Sequence, residues 1–80
     1  MQSEFHLHDP VALLADIPAR DFETSRPLRL KRGQIGTIVM IYNSETYEVE
    51  FTDIQGQTCA LLPIPAAKLM RLHHMVEAAA

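Results

Sequence analysis

From Thr46 to Asp53 the chain reads TYEVEFTD, in which apolar and acidic side chains alternate one for one at its centre. A period of two belongs to a β-strand with one face covered and the other in water. Tyr47, Val49 and Phe51 therefore point to a core, and Glu48 and Glu50 point away from it. Just upstream, Gly33 and Gly36 flank Gln34 and Ile35 and lead into TIVMIY, Thr37–Tyr42. Glycine supplies a positive φ or a close backbone approach, which suits a turn entering a strand. TIVMIY is rich in β-branched residues and apolar on both pleat faces, so it is expected to be a central strand, covered on both sides or strongly curled. Asn43, Ser44 and Glu45 make the turn between the two strands.

The same reading extends outward. VALLADIP, Val11–Pro18, is a first strand ended by proline, with a short amphipathic helix as the alternative. Residues 19–32, polar and carrying Pro27, read as a long loop; a connection of that length is functional or mobile, which makes it the first place to seek a binding surface. After a turn centred on Gly56, Thr58–Ile64 is the next strand, stopped by Pro63 and Pro65. Pro65–Lys68 suits one helical turn, and LMRLHH after it a last strand covering the first; a C-terminal helix sharing Leu69, Leu72 and Val76 is the alternative. The expected fold is all-β, a small five-stranded antiparallel SH3-like barrel with one short helical turn before its last strand. Its bounds are a flexible segment at 1–10, the barrel at 11–74 and a tail at 75–80.

Eighty residues make a single domain near the lower size limit for a self-sufficient core. With 48% hydrophobic against 21% charged residues the chain is expected to fold. No disulfide helps, because Cys59 is the only cysteine. A lone thiol, no secretory leader and no apolar run of membrane-spanning length fit a soluble, cytoplasmic protein. Oligomerisation or a partner would then add stability.

Signals for catalysis are weak. Ser3, Ser25 and Ser44 lie in tail or turn positions without a nucleophile elbow. GQIG has neither the length nor the lysine of a phosphate loop. Cys59 is expected to be a small buried hydrophobe. His6 and His8 would share one face of an extended chain beside Asp9, and pairing of the chain ends would bring His73 and His74 near them. Such groups can bind zinc, but none has the spacing of a metal motif, so no metal or cofactor is expected. Glu48 and Glu50 would serve as acid and base only in a concave pocket, and no catalytic residue is expected.

Charge is unevenly spread. The formal net charge is −3, yet Arg20, Arg26, Arg29, Lys31 and Arg32 crowd the presumed loop, while Glu45, Glu48, Glu50 and Asp53 lie around the alternating strand. A basic loop beside an acidic hairpin gives two candidate partner-binding groups: Arg26, Arg29, Lys31 and Arg32, and Glu45, Glu48, Glu50 and Asp53. The glycine-led strand after the basic residues resembles the KOW motif of ribosomal proteins and transcription elongation factors. That likeness implies a small barrel and, as an alternative function, nucleic-acid binding through residues 26–32. Exposed glutamates and only five aromatic residues weigh against a polyanion partner.

A second resemblance spans DPVALLADIP, LKRGQIGTIVMIY and YEVEFTDIQGQTCALLPIPAAKLMRL. These segments resemble, in order and spacing, a family of short bacterial proteins described as a domain of unknown function. The resemblance implies an SH3-like barrel without catalytic residues or cofactor. Members often lie beside another small gene, which implies a non-catalytic protein-binding role as the antitoxin or immunity partner of the adjacent gene product, a toxin. ARDFETSRPLR is longer than the usual connection in that family, so specificity is expected to differ there. A nucleic-acid-directed toxin would be basic, and the acidic group here would meet it as a phosphate mimic. A self-associating barrel is the remaining alternative.

Overall fold

A computed structural model describes residues 5–79. Ser3, the first part of the expected N-terminal segment and the last residue of the tail lie outside the described residues. The described residues are all-β apart from one 3-10 turn. The strands are β1 (Pro10–Leu13), β2 (Ile17–Arg20), β3 (Pro27–Leu30), β4 (Ile35–Ile41), β5 (Thr46–Thr52), β6 (Thr58–Pro65) and β7 (Leu69–Arg71), with the 3-10 turn Ala66–Lys68 before β7. Five of them form one antiparallel sheet in the order β6-β5-β4-β1-β7, and β2 and β3 form a separate hairpin. The sheet ends at β6 and β7, which do not pair with each other, so the expected five-stranded barrel is not closed: the chain forms an open five-stranded sheet and a hairpin.

Three expectations about elements need correction. The segment read as one strand, Val11–Pro18, is two: β1 stops at Leu13, and Ile17 and Pro18 open β2. Residues 19–32 are not a loop throughout but mostly the β2–β3 hairpin, with Ile17 opposite Leu30 and Ala19 opposite Leu28. Its prolines are tolerated for a geometric reason. Asp21 N–H bonds Arg26 O, so by alternation Pro18 and Pro27 fall where the backbone N–H would face outward and no ladder bond is lost. The last strand is shorter than LMRLHH, ending at Arg71, although Leu72 N–H still reaches Pro10 O.

The core lies between the sheet and the hairpin. Val11, Leu13, Ile38, Tyr47, Val49, Phe51, Ala60, Ile64 and Leu69 are buried, with Leu30 from β3 and Ile17, Ala19 and Leu28 packed beside them. The alternation of β5 is realised: Tyr47, Val49 and Phe51 are buried and Glu48 and Glu50 are half-buried. β4 is the middle strand, but it is not covered on both faces. Its register shifts between Ile38 and Met40, a bulge that curls the strand, and Ile35, Met40 and Ile41 are exposed.

The described part of segment 1–10 makes contacts with the rest of the fold. Phe5 is buried, its ring centroid 5.2 Å from that of Tyr47 at 58°. The turn behind it is pinned by Asp9, whose carboxylate accepts from His6 N–H and lies 3.3 Å from Arg71 Nε. His8 has a positive φ of 70°, so His6 and His8 belong to a turn and not to an extended chain. β1 and β7 do pair, as expected of the chain ends, but the group brought to Asp9 is Arg71, with His6 Nδ1 at 3.5 Å.

A candidate protein-binding face

Opposed residues of antiparallel strands share a face, so the register maps the outer side of β4–β5–β6 directly. Glu48 stands between Met40 on β4 and Pro63 on β6. Glu50 stands between Thr37 and Leu61. Met40, Leu61 and Pro63 are exposed, as is Tyr42 just past the end of β4. Two carboxylates thus sit in a field of uncovered apolar side chains. On a strand the two are about 6.5–7 Å apart along the axis.

Neither carboxylate has a cationic partner among the described residues. Among the described residues the ion pairs are those of Asp9 with Arg71 and His6. Hydroxyl groups hold the glutamates instead: Tyr42 donates to Glu48 Oε1, and Thr58 donates to Glu50 Oε2. The bond to Glu48 raises the Tyr42 phenol pKa above its usual value, with desolvation adding to it, because the phenolate would lose the bond and face the carboxylate. A neutral donor orients a carboxylate without cancelling its charge. These two bonds set the direction in which each carboxylate points.

The other expected acidic residues do not join them. Asp53 turns its carboxylate back on the β5–β6 turn, where Oδ1 accepts from Gln55 N–H at 2.8 Å and Gln57 N–H at 3.0 Å. Glu45 lies in the β4–β5 turn, its N–H bonded to Asn43 Oδ1 and its carbonyl accepting from Ala66 N–H. Of the four acidic residues, Glu48 and Glu50 are the two that the strand register places side by side on the outer face.

The basic residues are dispersed along the hairpin. Arg29 is exposed on β3 opposite Pro18, and Arg26 precedes β3 at the hairpin tip. Lys31 and Arg32 occupy the turn before β4, where Arg32 N–H bonds Asp16 Oδ1 at 2.8 Å. Arg20, not included in the expected group, donates to Ser25 O at 2.9 Å and closes the tip. Asp16, Pro18, Pro27, Leu28 and Arg29 line a shallow open depression on this side. At the tip, Asp21 accepts from Thr24 and Glu23 N–H, and these two bonds hold its carboxyl below the usual range. The tip meets β6 through Phe22 N–H to Cys59 O. Cys59 is half-buried rather than buried as expected, and burial, followed by the charges of Asp53, Asp21 and Glu23, pushes its thiol pKa up. A thiol so placed is a weak nucleophile.

Tyr42 and Thr58 are the residues that sequence reasoning missed. Their signal was faint: each is a hydroxyl-bearing residue at the end of a strand adjoining the alternating one. No group of three or more histidine, cysteine or acidic residues that could hold a metal occurs among the described residues. No helix there is long and apolar enough to cross a membrane.

A family described as Domain of unknown function (DUF4926) matches residues 7–71, nearly the whole of the described structure. No curated protein and no solved structure matches the chain.

Proposed function

The chain belongs to the family described as Domain of unknown function (DUF4926), and on that premise we propose that it is a non-catalytic protein-binding module. The observation that carries this reading is the outer face of β4–β5–β6, where two carboxylates with no cationic partner among the described residues stand among exposed Met40, Leu61 and Pro63. Uncovered apolar surface joined to fixed charge is what a protein partner uses: burial supplies affinity, and charge sets register and encounter rate. The strand order β6-β5-β4-β1-β7, the hairpin between β1 and β4 and the 3-10 turn before β7 support an SH3-like arrangement left open between its edge strands. The partner we infer is a basic protein encoded beside this chain, with this chain as its antitoxin or immunity half.

Co-expression with the product of the adjacent gene tests the reading. Toxicity of that product alone, rescue of growth by this chain and co-purification of the two are the expected results. Absence of both toxicity and complex would remove the antitoxin assignment. Salt-dependent retention on RNA would then favour the basic hairpin as a nucleic-acid surface.

A further inference from the structure

The face that the protein-binding reading invokes also constrains the shape of what docks there. One route is closed by β6, the edge strand beside it. Cys59 O points away from β5, because it accepts from Phe22 of the hairpin. At the other end Ala66 N–H bonds Glu45 O, so by alternation Ala60, Leu62 and Ile64 face β5 while Leu61, Pro63 and Pro65 turn their backbone groups to the free edge. Proline has no N–H to give. The hairpin occupies one end of this edge and the two prolines remove donors from the other, which leaves Leu61 alone with a free N–H and C=O pair there. A partner strand cannot extend the sheet at β6 with a regular ladder.

A partner must therefore lie over the side chains. An extended segment laid on the face would leave its own N–H and C=O groups without ladder partners, whereas a helix satisfies its own. The spacing agrees with a helix. Side chains at i and i+4 lie on one face about 6 Å apart, close to the separation of Glu48 and Glu50 along β5. We propose that the outer face of β4–β5–β6 takes a basic amphipathic helix of a protein partner, lying along β5. Lysine or arginine residues at i and i+4 address Glu48 and Glu50, and apolar side chains on either side of them rest on Met40 and on Leu61 and Pro63. Tyr42 and Thr58 are positioning residues, because their hydroxyls hold the carboxylates in place before the helix arrives.

The test uses three labelled synthetic helices and fluorescence anisotropy. One carries lysines at i and i+4 beside a leucine stripe, its isomer spreads the same lysines around the helix, and the third has glutamate for lysine. Wild-type protein is expected to bind the first, more weakly as salt rises, and to bind the isomer and the glutamate helix far less. Glu48→Gln with Glu50→Gln keeps size and hydrogen-bonding capacity, and should weaken the first helix roughly fivefold to tenfold, the sum of two half-exposed charge pairs. Equal binding of the lysine isomers, or no loss in the double variant, overturns the proposal. The adjacent gene product separates the two readings. If wild type and the double variant capture it equally, this helix site falls while protein binding stands. If the lysine helix binds as expected and the gene product does not, the site stands and the identity of the partner falls.

Discussion

At Gly33 the backbone has φ +88° and a side chain would meet nothing within 4 Å, whereas at Gly36 a Cβ would lie 2.7 Å from Val49 Cγ1 and 2.8 Å from Phe51 Cε1. The first glycine is needed for its conformation and the second for its absence of volume. Gly33→Ala should therefore destabilise through backbone strain despite the open space, and Gly33→Asn less so, since asparagine visits the left-handed region. Gly36→Ala should cost about 1–3 kcal/mol, the range for overpacking a core. Thermal unfolding checks both, with a melting-temperature loss of roughly 4–8 °C per kcal/mol for a domain of this size. The Tyr42–Glu48 bond gives a second prediction at this scale. The Tyr42 phenol pKa lies above the usual 10.0, so the bond contributes stability below that pH and loses it as pH rises through the folded-state value. Ultraviolet titration should show one tyrosine moving down toward 10.0 in Glu48→Ala. Tyr47, raised by burial alone, should stay high.

Among the elements, the hairpin and β6 show how proline is placed in a sheet. In both, the ring falls where the missing N–H would have faced outward, so no ladder bond is lost. On β6 this leaves all of the pairing with β5 from Thr46–Pro65 to Phe51–Ala60 in place while the outer edge lacks donors at Pro63 and Pro65. Replacing Pro63 and Pro65 by valine restores two N–H groups at that edge and should raise self-association, seen as a concentration-dependent increase in sedimentation coefficient. An unchanged coefficient would mean that the hairpin alone protects the strand. The hairpin was legible in retrospect: Ile17 and Ala19 alternate with Pro18 and Arg20, and Leu28 and Leu30 flank Arg29. Reading proline as a strand breaker hid that alternation, because the rule depends on which edge the residue faces.

For the molecule as a whole, closure of the core depends on residues from both ends of the described chain. Phe5 packs at a tilt against Tyr47, β1 pairs with β7, and the Asp9–Arg71 contact ties the N-terminal turn to the last strand. A domain of 80 residues has little stability to spare. Phe5→Ala should cost about 3 kcal/mol, the low end for removing a buried phenylalanine. Chemical denaturation should show a lower midpoint with an unchanged slope, because the unfolded surface stays nearly the same. A midpoint equal to wild type would mean that the ring adds nothing beyond covering Tyr47.

What the sequence determined by itself is local. The inward and outward faces of β5, the glycine-led entry to β4, the turn at Gly56 and the single helical turn before β7 all follow from periodicity and backbone preference within a few residues. Tertiary structure decided what touches what. The hairpin folds onto the core, Asp53 is spent on its own turn, and Phe5 is drawn in from the expected free segment. Tyr42 and Thr58 reach Glu48 and Glu50 only because the register of β4, β5 and β6 aligns them. A period of two says which face a side chain takes, but it carries no information about which distant strand will lie opposite.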